Sequence, residues 1–276
     1  MPNIFLLLTN PFVLRAFIAI LLISVLAATA GSFTTFRGLS FLVASIAHSA
    51  LAGAALAVVL DQYGIVKELD PTLSALLFGI IMAIIIGISE KIEHTEKIEI
   101  AIGISFALSM SLAVLFISMM REYSVEAWAL ILGDILLLSF RDILVLTIIT
   151  AIVAFIFILF MREFIFLSFD PEGTRAMGVN VDFYHILMLV LVASSTVVLL
   201  RGIGAILVYA VLIIPSAIAN KISKDVYQIL FYSFVISLTC GIIGIIVSLF
   251  ISVAPSSIIG LLLVLIYLIT ALRSRK

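Results

Sequence analysis

The feature that most constrains this chain is the recurrence, from one end to the other, of apolar runs of about twenty residues separated by short polar breaks. A helix rises 1.5 Å per residue, so a run of this length crosses the roughly 30 Å hydrocarbon core of a bilayer. Apolar residues make up 64% of the chain and charged residues only 11%, which leaves no stretch for a soluble domain. We therefore expect an all-α, polytopic transmembrane helix bundle of about eight or nine spans, with residues 1–276 forming one transmembrane domain in the cell membrane.

Charges and turn residues divide the chain into nine candidate crossings. The weakest boundary is at Arg201, where only a Gly-Ile-Gly turn separates two runs, so eight crossings plus a re-entrant element is the alternative. The segment Ser124–Leu138 carries Glu126 and Asp134 and is too short to span, which predicts a half-helix or surface element packed against the bundle. The predicted crossings are Pro11–Ala30, Leu39–Leu60, Thr72–Ser89, Ile98–Met119, Ile143–Met161, Phe183–Leu200, Gly202–Ala219, Val226–Ile251 and Ser256–Leu272.

The distribution of lysine and arginine predicts the orientation, because short cytoplasmic loops carry the excess of these residues. With the amino terminus outside and the carboxyl terminus inside, ten of the 15 basic residues are cytoplasmic. Those ten are Arg37, Lys91, Lys97, Arg162, Arg175, Lys221, Lys224, Arg273, Arg275 and Lys276.

Several sequence motifs of enzymes and nucleotide-binding proteins are missing. The chain has no G-x-x-x-x-G-K-[ST] phosphate loop, no dinucleotide glycine fingerprint after a strand and no H-E-x-x-H helix. We therefore expect a transport subunit without enzymatic activity or a bound cofactor, so any energy from ATP has to come from a partner subunit.

The loop from Phe166 to Asp182 has the signals of a capped helix. Asp170 is placed to be the N-cap, Pro171 occupies the first helical position, and Glu172 lies in the first turn. Gly178 is placed to end the helix. The pattern predicts a short surface helix on the cytoplasmic side.

A second loop, from Gly202 to Asp225, combines a proline with small and basic residues. Proline inside a helix removes a hydrogen bond, so Pro215 is predicted to break or kink the seventh crossing. The residues after it predict a separate short helix at the membrane face. They are Ser216, Ala217, Ala219, Lys221 and Lys224.

With these two loops in place, the chain resembles the permease subunits of ABC importers for zinc, manganese and iron. The resemblance also covers FRGLSFLVASIAHSALAG at Phe36–Gly53, IAIGISFA at Ile100–Ala107 and LGDILLLS at Leu132–Ser139, in the family's order and spacing. It implies a membrane-spanning permease that is coupled to a separate ATPase and carries divalent metal ions.

The resemblance also implies partners. A second permease copy or a paralogue would complete the pathway, two ABC ATPase subunits would dock below, and an extracytoplasmic metal-binding protein would deliver the cargo. Ser216–Lys224 resembles the coupling helix that sits in a groove of the ATPase, and the Asp-Pro-Glu loop resembles a second cytoplasmic element near that contact. The residues assigned to this contact are Pro215, Ser216, Ala217, Ala219, Lys221, Lys224, Asp170, Glu172, Arg175 and Gly178.

His48 is the leading candidate for the metal pathway. A histidine near the middle of an apolar span is costly to desolvate, so it faces the bundle interior and marks a pathway or bonds a neighbour. The alternative is a structural histidine that bonds Ser45 or a carbonyl of a neighbouring helix. The family has an aspartate four residues before this histidine, whereas this chain has Ala44.

Two carboxylates complete the candidate pathway set. Glu99 stands where the family has an acidic residue, and Asp134 is either a vestibule carboxylate or a helix cap. In the acidic loop Ser89–Glu99, Glu90 and His94 could bind a cation, but alternating Glu and Lys favours a solvated helix end.

Three other functions are consistent with a polytopic chain. A siderophore or cobalamin permease would have a wide apolar cavity and no use for His48. An ion-coupled secondary transporter would show repeated halves and carboxylates within the spans. A structural scaffold is disfavoured by the two capped cytoplasmic loops. The identity of the metal and the choice between homodimer and heterodimer stay open.

Overall fold

The computed structural model describes residues 10–67, 69–92, 98–120, 133–251 and 253–273. Within these ranges the chain forms helices and contains no strand. The helices are α1 Pro11–Phe36, α2 Ser40–Gln62, α3 Pro71–Ile92, α4 Ile98–Met119, α5 Phe140–Leu159, α6 Met161–Phe169, α7 Pro171–Ala176, α8 Val181–Ile203, α9 Ala205–Ile222, α10 Val226–Ile251 and α11 Pro255–Arg273.

Nine of these helices are long and apolar enough to cross a membrane, counted over the described residues. They correspond one to one with the predicted crossings. The two crossings around Arg201 are separate helices, because Gly204 adopts a φ of +83° and ends α8 one residue before α9 begins. This favours nine crossings over the alternative of eight crossings plus a re-entrant element.

Two helix boundaries differ from prediction for reasons of local backbone structure. The first crossing was expected to end at Ala30, but α1 continues to Phe36 through a π-helical turn at Ala27–Gly31. α5 begins at Phe140 instead of Ile143, because Ser139 and Asp142 form a reciprocal capping box.

Two predicted segments fall partly outside the described ranges. In the acidic loop, residues 93–97, which include His94, are not described. The segment Ser124–Leu138 is described only from residue 133, where a short 3₁₀ turn at Ile135–Leu137 follows Gly133. The predicted packing of this segment is confirmed for its described end, since Ile135 is buried and a Cβ at Gly133 would clash with Gly204.

α2 and α8 lie at the centre of the bundle, whereas α4 lies at its surface. The buried share of the apolar window is 78% in α2 and 72% in α8, but only 17% in α4. α2 is flanked by α3 and α4, and α8 packs on α3, α5 and α2. Small residues permit this position, because a Cβ at Gly53 would lie 2.5 Å from the Ser74 carbonyl oxygen of α3.

Polar contacts between helix ends form two groups, which lie on opposite sides of the bundle. On one side Arg141 pairs with Asp70, and Arg201 pairs with Asp142. On the other side Arg37 donates to the Leu167 carbonyl at 3.1 Å and to His185 Nδ1 at 3.2 Å. Nine crossings place these groups at opposite membrane faces, and the lysine and arginine bias assigns the Arg141 group to the outside.

The close approach of α2 to α3 predicts that Gly53 tolerates no side chain. Gly53→Val should lower stability by about 1–3 kcal/mol, because its added atoms meet backbone and the Phe78 side chain. The measurement is thermal unfolding of the purified protein in detergent. Gly103→Val is the matched control, since a Cβ there meets nothing within 4 Å, and its effect should stay within about 0.5 kcal/mol. Equal effects at both glycines would contradict the tight α2–α3 contact.

Candidate functional site

His48 lies on α2 and is half-buried beside Phe106 of α4. Its Nδ1 is 2.9 Å from the Ala44 carbonyl oxygen, one turn earlier in the same helix. A carbonyl oxygen can only accept, so Nδ1 carries a proton, and in the neutral form of the ring the lone pair is on Nε2. The rings of His48 and Phe106 meet edge to face with centroids 5.0 Å apart.

The hydrogen-bond partner of His48 differs from the partners expected if the residue had a structural role. The expected partner was Ser45 or a carbonyl of a neighbouring helix, but the observed acceptor belongs to α2 itself. The bond therefore joins no two helices, and it fixes the tautomer whose free nitrogen can bind a metal ion. Ala44 contributes its backbone oxygen to this arrangement and no carboxylate.

The other two pathway candidates lie at different depths. Glu99 is in the first turn of α4, seven residues and about 10 Å before Phe106 along the helix. Asp134 accepts a hydrogen bond from the Leu136 backbone at 2.9 Å and caps the 3₁₀ turn near the outer end of the bundle. Among the described residues, no group of three His, Cys, Asp or Glu side chains could hold an ion. The structure thus does not bring His48, Glu99 and Asp134 together.

The predicted capped helix is confirmed as α7, and its cytoplasmic placement stays a prediction. Asp170 Oδ1 accepts a hydrogen bond from the Gly173 backbone at 2.8 Å, and Pro171 occupies the first helical position. Gly178 ends the helix with a φ of +82°. Glu172 and Arg175 are exposed on this helix, so they are available to a partner at this face.

The prediction of a separate helix after Pro215 is wrong. α9 runs unbroken from Ala205 to Ile222, with Pro215 inside it. Pro215, Ser216 and Ala219 are buried and Ala217 is half-buried, so this part of the predicted contact set packs inside the bundle. Proline is accommodated because neighbouring helices cover its turn.

The exposed contact residues predicted in this region lie at the end of α9 and just after it. Two residues that the sequence did not single out are exposed beside them. Lys221 and Lys224 are exposed, and so are Asn220 and Ile222. Lys221 Nζ lies 4.5 Å above the ring centroid of Tyr267, which ties the end of α9 to α11. Helix length alone does not reveal where α9 leaves the bundle, so the sequence carried no clear signal for Asn220 and Ile222.

Ser216 is buried and forms hydrogen bonds with α1. Its Oγ is 2.6 Å from Thr35 Oγ1 of α1, 2.8 Å from the Ile213 carbonyl oxygen and 3.2 Å from the Gly31 carbonyl oxygen. Thr35 Oγ1 also lies 2.9 Å from the Gly31 carbonyl oxygen. Two hydroxyls 2.6 Å apart are hydrogen-bonded with either one as the donor, so this bond crosses from α1 to α9 while the accepting hydroxyl donates to a carbonyl.

Comparisons with known proteins agree with this architecture. Residues 9–274 match the model of the ABC 3 transport family. The manganese import system permease protein ScaB of Streptococcus gordonii is 29% identical over 94% of this chain and 90% of its own length. The manganese transport system membrane protein MntC of Listeria monocytogenes is 29% identical over 96% of this chain and 91% of its own.

The fold also matches a solved structure. PsaBC from Streptococcus pneumoniae in complex with Fab aligns with a TM-score of 0.83 and 28% identity, covering 97% of this chain and 93% of that chain. The fold defines a multi-pass transport protein of the cell membrane. The chain belongs to the ABC 3 transport family, and the resemblance found in its sequence is confirmed.

The hydrogen bond between Thr35 and Ser216 gives a prediction about stability. Thr35→Val and Ser216→Ala should each cost about 1 kcal/mol, because each removes the same crossing hydrogen bond. The double variant should therefore cost less than the sum of the two. Thermal unfolding in detergent measures this cycle. Thr239→Val is the control, since that exposed hydroxyl makes its hydrogen bonds within its own helix. Additive costs would contradict the crossing bond.

Proposed function

We propose that the chain is the membrane-spanning permease subunit of an ATP-driven ABC importer for divalent metal ions. The observation that carries the proposal is similarity over more than nine-tenths of the chain to permeases named for manganese import and transport. His48 supplies an imidazole nitrogen within the spans, and imidazole is a ligand for divalent transition metals. The cargo class is a divalent transition metal such as zinc, manganese or iron.

The position of His48 suits transient binding of a metal ion. A neutral imidazole nitrogen binds zinc, iron and related ions, and Nε2 is the nitrogen left available by the Ala44 bond. One ligand per copy makes a weak site, and passage requires binding that is weak enough to release. A second permease copy would bring a second His48 to the pathway along the shared axis.

Energy for transport would come from partner subunits. The sequence contains no phosphate loop, and we infer that separate ABC ATPases use the ATP. We place their contact at the exposed residues of α7 and at the exposed end of α9. The Lys221–Tyr267 contact and the Ser216–Thr35 bond would pass a displacement of α9 to α11 and α1. An extracytoplasmic binding protein would deliver the ion on the outer side.

A different coupling mechanism is less well supported. An ion-coupled secondary transporter needs carboxylates within its spans. In the described spanning helices the acidic residues stand within three residues of a helix end. They are Asp61, Glu90, Glu99, Asp142 and Asp182. This placement favours an importer driven by a partner ATPase.

The pathway role of His48 predicts a specific loss of transport. His48→Leu should reduce uptake of radiolabelled zinc and manganese into vesicles by at least about tenfold per assembled complex, since the only proposed ligand nitrogen is removed. Ala44→Asp should change the preference between the two metals, because a carboxylate beside the imidazole adds an oxygen ligand. Ser49→Ala is the control and should keep uptake per complex, since Ser49 bonds the Phe78 carbonyl between α2 and α3. Unchanged uptake in His48→Leu would return that residue to a structural role.

The proposed ATPase contact predicts an effect confined to one side of the membrane. Ile222 is 53% exposed at the end of α9, and Ile65 is 69% exposed on the opposite side. Ile222→Asp should reduce copurification of the coexpressed cognate ATPase by about tenfold, because a charge enters an apolar contact. Ile65→Asp should leave copurification unchanged. Equal recovery of the ATPase with both variants would place the contact elsewhere.

A further inference from the structure

A groove lies between α3 and α5 on the outer half of the bundle. Both helices pack on α8, but they barely touch one another. The space between them is a cavity of about 220 Å³, floored by Val197 of α8 and walled by Leu76, Val145 and Ile149. We call this the outer groove.

The outer groove reaches as deep as one leaflet of a bilayer. Arg141 stands at its mouth and Ile149 lines its lower end, eight residues and about 12 Å further along α5. Half of a hydrocarbon core of about 30 Å is about 15 Å. The groove therefore spans most of the outer leaflet.

The side of the groove faces the membrane. Leu76, Val145 and Ile149 are half-buried, and the neighbouring residues Leu77 and Ile148 are 54% and 50% exposed. The surfaces of α3 and α5 next to the groove are therefore apolar. An acyl chain can therefore enter sideways from the bilayer without crossing a polar surface.

The mouth of the groove carries charged groups at the level of lipid headgroups. Arg141 Nη2 bonds Asp70 Oδ2 at 2.7 Å, and the Arg141 side chain is 79% exposed. A guanidinium has five N–H donors, so this single bond leaves donors of Arg141 directed at the surface. Arg201 pairs with Asp142 behind it.

Asp70 holds Arg141 over the groove. Partial burial raises the pKa of this carboxyl, but hydrogen bonds from Thr72 and the charge of Arg141 outweigh it and lower the pKa below its ordinary value. Asp70 is consequently ionised at neutral pH. Its second oxygen is fixed by the Thr72 backbone at 2.8 Å.

We propose that the outer groove is a binding site for one phospholipid, with an acyl chain between α3 and α5 and the phosphate on Arg141. The apolar walls match the chain, the depth matches a leaflet, and the exposed guanidinium matches a phosphate in charge and geometry. The bound lipid fills the gap between two helices that otherwise make little contact. This site is separate from His48 and does not depend on the identity of the transported ion.

Lipid retention tests the proposal. The permease complex is reconstituted in vesicles of phosphatidylethanolamine and phosphatidylglycerol, extracted in mild detergent and examined by native mass spectrometry. The wild-type complex should retain one phospholipid per permease chain. Arg141→Gln should lower retention by about tenfold, because the charged contact to phosphate is lost. Val145→Trp should do the same by filling the groove.

Arg15→Gln is the matched control, since Arg15 is also an arginine near the outer end of a span but does not line the groove. It should retain the lipid as the wild type does. Equal retention in wild type and Val145→Trp, or equal loss in Arg15→Gln and Arg141→Gln, would overturn the proposal. Bound inorganic phosphate in place of a phospholipid would also overturn it.

A second copy of the chain is the competing occupant of the groove. Ile148→Cys in a Cys240→Ala background tests this, since Cys240 is the single native cysteine. Efficient disulfide cross-linking between the introduced cysteines of two chains in vesicles would overturn the lipid assignment. A monomeric band together with lipid retention supports it.

Discussion

The hydrocarbon core of a bilayer holds no water that could hydrogen-bond to this chain. Every backbone N–H and C=O within the hydrocarbon must find a protein partner, so each crossing is a helix. Irregular backbone is tolerated only where protein covers it. Pro215, Gly204 and four of the five residues of the π turn Ala27–Gly31 are buried, in agreement with this constraint.

Two of these irregular places meet one another. The π turn of α1 contacts α9, and a Cβ at Gly31 would clash with the Leu212 carbonyl. The Ser216 and Thr35 hydroxyls then join the two helices beside the Gly31 carbonyl. The proline of α9 therefore marks a packed junction between helices, and the exposed surface that a partner can reach begins later, at Asn220.

The same constraint sorts the charged and polar side chains. Ion pairs such as Arg141–Asp70 and Arg201–Asp142 stand at helix ends, where water and headgroups share the cost of desolvation. His48 lies within a span, and the cost of desolvating it is reduced because its Nδ1 hydrogen-bonds a carbonyl of its own helix. That bond satisfies one ring nitrogen and leaves the other for a ligand, which is the property that a transport pathway needs.

The sequence by itself determined the number and order of the crossings, because run length against bilayer thickness is a local property that needs no knowledge of neighbours. It also determined the α7 cap at Asp170, which depends on four consecutive residues. It failed after Pro215, where a proline alone predicts a break but the packing of α1, α2, α10 and α11 around α9 keeps the helix continuous. It also grouped His48, Glu99 and Asp134 as one pathway set, whereas the tertiary structure places them at three depths. Only the tertiary structure decided the partner of His48 and the outer groove, because both depend on how separate helices approach one another.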